Sequence, residues 1–313
     1  MVHWTKGDEK MKRRAMGFVS LLVCTMIWGT AFIAQSVGMD QMGPFTFQCI
    51  RCLLAVAFLF PAATLADWKR LGFLNSLKKW ADPALLKYGL LCGSVLFIAS
   101  SLQQIGLVYT DAGKAGFITA MYIVLVPLMG IILRRKPSLS ALLSVVPAVI
   151  GLYMLCGMGP GGINIGDVFL MGGALGFSVQ ILLVDRHVKE LDSLRFNCAQ
   201  CVVIALYSLP MLLTEEKDAS AIFAARWALL YAGVMSMGVA YTLQVLGQKH
   251  VEPTAASIIM SLEAVFAALG GWAILHETMT AQEVTGCCLM FLAVILSQIP
   301  MKKKAAETPA AVR

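Results

Sequence analysis

Residues 101–133 read SLQQIGLVYTDAGKAGFITAMYIVLVPLMGIIL, and residues 242–274 read TLQVLGQKHVEPTAASIIMSLEAVFAALGGWAI. Laid over each other without a gap, they match at Leu102/Leu243, Gln103/Gln244, Gly106/Gly247, Ala115/Ala256, Ile118/Ile259, Val124/Val265, Leu128/Leu269 and Gly130/Gly271. A shorter pair lies upstream of each block. FTFQCIRC at 45–52 sits over LRFNCAQC at 194–201, pairing Phe47/Phe196, Cys49/Cys198 and Cys52/Cys201. The chain therefore carries its plan twice.

Both copies are apolar. Of 313 residues, 58% are hydrophobic and 14% charged, against about 45–50% and roughly 25% in soluble domains. This excludes a soluble enzyme and a disordered chain. A helix needs about 20 apolar residues to cross the hydrocarbon core, and about 17 can suffice. Ten runs qualify: 15–37, 44–66, 86–108, 113–133, 139–157, 166–184, 194–213, 227–247, 254–275 and 282–300. They are too long and too uniformly apolar for barrel strands, which alternate over about 10 residues. The first run follows Lys12, Arg13 and Arg14 and is too long for a signal peptide.

Each copy holds five runs. Five is odd, so the second copy enters the membrane upside down relative to the first, as in transporters built from inverted repeats. With both termini in the cytoplasm, 21 of the 25 Lys and Arg fall in cytoplasmic segments. The positive-inside rule therefore selects N-in, C-in. The expected fold is all-α and polytopic: ten transmembrane helices as two inverted five-helix repeats. Its divisions are an N-terminal tail 1–14, a first repeat 15–157, a second repeat 166–300 and a C-terminal tail 301–313. The net charge of +7 is a topology signal rather than a nucleic-acid footprint. Basic clusters at 69–79 and 134–136 read as topogenic charge, with contact to anionic lipid headgroups as the alternative.

Ionisable groups within the bilayer cost at least a few kcal/mol and face bundle interiors. Glu263 falls near the middle of the ninth run. It either binds a cationic substrate group, carries a proton, or serves as a structural partner for Arg51. Arg51 lies roughly 10 Å deep in the second run, at 1.5 Å per residue. It either snorkels, caps a broken helix or holds a substrate carboxylate. Lys114, at the outer end of the fourth run, is a gating or anchoring candidate. Gln103 and Gln104, with Gln244 at the position equivalent to Gln103, either line a cavity or join helices by hydrogen bonds. Trp28, Tyr122, Gln180 and Tyr241 either complete a cavity wall or serve as packing residues and interface anchors. Four of the nine cysteines form the pairs Cys49-x-x-Cys52 and Cys198-x-x-Cys201, which read as packing rather than as a metal site.

Several stretches resemble the EamA-like transporters, the ten-span branch of the drug/metabolite transporter superfamily. They are IWGTAFIAQ in the first run, PFTFQCIRCLLA in the second, AGKAGFITAMYIVLVPL in the fourth, and TAASIIMSLEAVFAALGGWAILHETMTAQEVTG from the ninth into the tenth. The chain departs from the usual pattern at Ala264 and His276, where the family often has Pro and Gly. The resemblance covers 15–300. It implies a multi-pass transporter of the bacterial plasma membrane that exports amino acids or related small metabolites, with multidrug efflux as the alternative. A non-transporting scaffold or sensor is a more distant one. The chain has no GxxxxGK[ST], GxSxG or HExxH, so neither ATP-driven transport nor an enzyme is expected, and no cofactor or metal is called for. The partners are a small-molecule substrate and membrane lipid, with Glu263 a candidate for proton coupling and Glu263 or Lys114 for gating.

Overall fold

A computed structural model describes residues 6–39, 41–110, 112–156, 163–216, 218–274 and 278–299. Every regular element among them is helical, and ten helical stretches are long and apolar enough to span a membrane. They are Met11–Gln35, Pro44–Leu71, Pro83–Tyr109, Lys114–Ile132, Leu139–Cys156, Ile165–His187, Ser193–Leu212, Arg226–Gln248, Pro253–Gly270 and Ala281–Gln298. The corner residues His276 and Glu277 and the tail 301–313 lie outside the described residues.

The helices begin where local chemistry starts them. Helix α1 (Lys6–Met39) opens inside the segment read as a tail. Helices α2 (Pro44–Leu71) and α4 (Pro83–Tyr109) each open on proline, whose missing N–H is one the first turn leaves unused anyway. Asp82 Oδ1 also accepts from Ala84 N at 2.8 Å at the start of α4. Between them lies the short α3 (Phe73–Lys78). Helix α7 spans Leu139–Cys156, α8 Ile165–His187, and α9 Ser193–Leu212. A reciprocal capping box starts α8: Asn164 Oδ1 accepts from Asp167 N at 3.0 Å, and Asp167 Oδ2 from Asn164 N at 2.9 Å.

Two expected spans are each two helices. The fourth is α5 (Ala112–Thr119) followed by α6 (Tyr122–Ile132). After the short α10 (Ala219–Ala224), α11 (Arg226–Leu230), a π-helical segment Tyr231–Ala240 and α12 (Tyr241–Gln248) make up the eighth span. The ninth is α13 (Pro253–Met260) followed by α14 (Glu263–Ile274). In the ungapped alignment Thr119 lies over Met260 and Tyr122 over Glu263, so both copies break at one aligned position. At each break the chain tightens to i→i+3 bonds: Met121 N to Ile118 O at 3.1 Å, and Leu262 N to Ile259 O at 3.1 Å. Ser257 and Ser261 bond back to Thr254 O and Ile258 O, each at 2.8 Å, which bends a helix. Pro127 removes a further bond from the α6 ladder.

Aligned helices also pack on each other: α2 on α9, and α7 on α15 (Ala281–Gln298). The second pair crosses at glycine. A Cβ on Gly151 would stand 2.7 Å from Gly286 O, and one on Gly286 2.6 Å from Gly151 O. Such backbone contact supplies dispersion attraction where lipid provides no hydrophobic drive. At one end of the bundle the basic residues find acids. Arg195 and Lys79 reach Asp67 Oδ2 at 2.9 and 2.7 Å, and Arg135 and Lys189 pair with Asp185.

Candidate functional site

The helix breaks, the π-helical segment and the middle of α1 converge on a cavity of about 50 Å³. Trp28, Phe32 and Gln35 come from α1, Arg51 from α2, Gln103 from α4, and Phe177, Gln180 and Ile181 from α8. Thr119 and Tyr122 border it at one break, Met260 and Glu263 at the other. Ser236 and Met237 come from the π-helical segment, Tyr241 and Gln244 from α12. Trp28 and Tyr241 meet edge to face, with ring centroids 4.9 Å apart.

Arg51 is 3% exposed. Its Nη1 donates to Gln35 Oε1 at 2.8 Å and its Nη2 to Gln48 Oε1 at 2.5 Å. Gln104 stands behind Gln35, 3.1 Å from its Oε1. Turned end for end, the Gln104 amide places its oxygen 3.1 and 3.2 Å from Arg51 Nη1 and Nη2. A guanidinium only donates, so this orientation is the one that suits it. The Phe47 ring lies 5.5 Å from the guanidinium carbon. Arg51 Nε is buried without a partner. Among the described residues no carboxylate reaches Arg51 within ion-pair distance; the ion pairs involve other cations.

Glu263 is 6% exposed and accepts from the Tyr122 hydroxyl at 3.0 Å. The two aligned positions thus meet, one from each copy. The structural alternative, an Arg51–Glu263 ion pair, is absent among the described residues, although both side chains border the same cavity. Gln244 Nε2 donates to Gln180 Oε1 at 3.1 Å, and Gln180 Nε2 to Gln200 Oε1 at 3.4 Å. Gln103 Nε2 donates to Thr119 Oγ1 at 3.4 Å. Gln244 Oε1 is buried and unpartnered.

Two candidates stand elsewhere. Gln104 does not border the cavity; it belongs to the amide set around Arg51. Lys114 is tied to Asp167 Oδ2 at 2.6 Å, so it joins the start of the fourth span to the capping box of α8. Thr110 Oγ1 also donates to Asp167 Oδ1, at 3.3 Å. Cys49, Cys52, Cys198 and Cys201 are all buried, and no group of three or more potential metal ligands forms among the described residues.

Gln35 and Phe32 were missed by sequence reasoning, though a signal existed. AFIAQ at 31–35 lies over GFSVQ at 176–180, which pairs Phe32 with Phe177 and Gln35 with Gln180. Asn197 was missed too. Fully buried on α9, its Nδ2 donates to Met237 O at 2.8 Å and Gly238 O at 3.0 Å, carbonyls of the π-helical segment. π-type segments often mark functional sites, and this one brings Ser236 and Met237 to the cavity.

The model of the EamA-like transporter family matches the chain twice, over residues 15–157 and 164–298. An "Uncharacterized transporter" of Archaeoglobus fulgidus is 29% identical over 295 residues, covering 93% of this chain and 88% of its own. The "Uncharacterized transporter YoaV" of Bacillus subtilis is 23% identical over 293 residues, covering 90% and 97%. One solved crystal structure shares the fold with a TM-score of 0.74 at 15% identity, covering 91% of this chain and 96% of its own. The family match and the names of the relatives, together with ten membrane-length helices, make this a multi-pass membrane transporter, not an enzyme. The chain belongs to the EamA-like transporter family of the drug/metabolite transporter superfamily.

Proposed function

We propose that this protein is a secondary transporter that exports amino acids or related small metabolites across the bacterial plasma membrane. It does so by alternating access between two inverted five-helix repeats with both termini in the cytoplasm. The observation that carries the substrate class is the chemistry of the cavity wall. One permanent cation, Arg51, and one carboxyl, Glu263, border the same space without pairing. The buried Arg51 Nε is an unused donor and Gln244 Oε1 an unused acceptor. A zwitterion brings a carboxylate for the first and an ammonium for the second and for Glu263. Inverted repeats place such a site near the midplane, where broken helices expose polar backbone. The shared break positions of α5/α6 and α13/α14 and the double family match support this arrangement.

The aromatic wall of Trp28, Phe32, Phe177 and Tyr241 favours the second reading, efflux of toxic apolar compounds. A growth-resistance screen separates them. Cells expressing the protein should tolerate toxic amino acids and analogues, and purified protein in liposomes should exchange the same compounds with saturation. Resistance to apolar drugs alone would select the efflux reading. Liposomes with no saturable flux for either class would leave a scaffold or sensor.

A further inference from the structure

We infer that Arg51 and the amides around it form an anion seat, a site for one monovalent anion, either an inorganic halide or a carboxylate of the cargo. This rests on the cavity proposed above as the substrate site and adds the amide set that completes the seat and an inorganic anion as a second source of the charge.

The charge balance leads to the seat. A buried ion is costly unless it is paired and hydrogen-bonded. Arg51 stays charged at any physiological pH. Yet its neighbours Gln35, Gln48 and Gln104 are all neutral, and among the described residues none brings a compensating charge into contact. Carboxamide dipoles stabilise a guanidinium but do not neutralise it. Its Nε is nine-tenths or more buried and lacks a partner, on a side chain that borders the cavity. Glu263, the acid in the same space, is engaged with Tyr122. A small anion supplies both the charge and the acceptor that are missing.

The repeat provides an internal control against a purely structural role. The register Cys49/Cys198 and Cys52/Cys201 places Arg51 over Gln200. Gln200 is fully buried and bonds Gln180, as Arg51 bonds Gln35, and Gln35 aligns with Gln180. The second copy therefore packs this position with a neutral amide. The fold does not require a cation here, and only the first copy has one. A site with a single positive charge takes a single negative one, and the Nε–H is the donor left to meet it.

The test uses the full-length protein in lipid nanodiscs, in a sulfate buffer without halide. Trp28 borders the cavity, so a variant retaining it alone among the six tryptophans, with phenylalanine at the other five, reports on the seat. Iodide should quench Trp28 with a saturable component above the linear collisional one. Arg51→Gln copies the residue found at the aligned position, and it should weaken that component by at least about tenfold. Arg51→Lys, which keeps the charge but loses the Nε–H donor, should fall between. Amino acids that displace iodide, where their amides and decarboxylated amines do not, identify the cargo carboxylate as the occupant. Displacement by bromide and chloride alone identifies an inorganic anion as the occupant. If neither iodide nor any carboxylate shows a saturable effect on the Arg51 protein, the seat is refuted, whether or not Arg51→Gln folds. It is equally refuted if folded Arg51→Gln matches the Arg51 protein. Flux separates this from the transport proposal. Saturable flux with the same KM for acids and their amides, together with no saturable iodide quenching, would remove the seat and leave the transporter. An Arg51-dependent iodide signal without any flux would do the reverse.

Discussion

Arg51 and Glu263 are both buried and ionisable, yet they have different neighbours: Arg51 a set of amides, Glu263 a single phenol. Hydrogen bonds to charged groups contribute about 1.5–3 kcal/mol. Tyr122→Phe should therefore change the pH profile of transport while leaving the bundle folded. Glu263→Gln keeps the shape and removes the titratable proton. It is expected to abolish net gradient-driven transport and preserve substrate exchange, measured in liposomes with and without an imposed pH gradient. Fully pH-coupled transport in the Gln variant would remove Glu263 from the coupling step. Ionisable residues such as these could be read from the sequence, because a charge in an apolar run costs too much to be incidental. Gln35, Thr119 and Ser236 could not be singled out the same way, since neutral polar residues are tolerated in spans. What marks them is their neighbours in space, and only Gln35 had a sequence signal, through its alignment with Gln180.

At the scale of helices, hydropathy located all ten spans but neither the breaks nor the π-helical segment. An apolar window has the same mean whether the chain runs straight through it or stops and restarts. The departures are held by polar side chains that such a mean ignores: Ser257 and Ser261 bonding back along α13, and Asn197 reaching from α9. Asn197→Leu would remove the side-chain donor of Met237 O and leave Gly238 O to the Thr242 hydroxyl at 2.7 Å, with a buried unsatisfied group costing about 1–3 kcal/mol. We expect a lower melting temperature and a raised KM together, since Ser236 and Met237 would shift with the segment. Glycines allow a cleaner contrast. Gly286→Val places a branched side chain on a position 2.6 Å from Gly151 O and should strongly reduce folded protein in a detergent thermal-shift assay. Gly116→Ala meets nothing within 4 Å and should be neutral, or gain up to about 1 kcal/mol from a less flexible unfolded chain.

At the scale of the molecule, the two copies are alike in plan but not in enclosure. Every residue from Thr254 to Val265 is buried, whereas Phe266–Gly270 are only partly so and Trp272 is exposed. The half of the ninth span that starts beside the basic end is thus enclosed on all sides, and the other half is not. If two inverted copies exchange roles during transport, the enclosure must pass from one half to the other. Ser257 is the position to watch, being fully buried and lying over Gly116 in the alignment. In a background with all nine cysteines replaced, Ser257→Cys should resist a membrane-impermeant maleimide in the resting protein. During turnover with an exported substrate it should become reactive from the cytoplasmic face, while a cysteine at Ala268 becomes less so. Side assignments come from reporter fusions. One after Lys304 should behave as cytoplasmic and one within 214–222 as external, and finding both on one side would falsify the ten-span topology. If Ser257→Cys stays unreactive throughout saturable flux, this half of the ninth span is a fixed wall, and the moving parts lie elsewhere in the bundle.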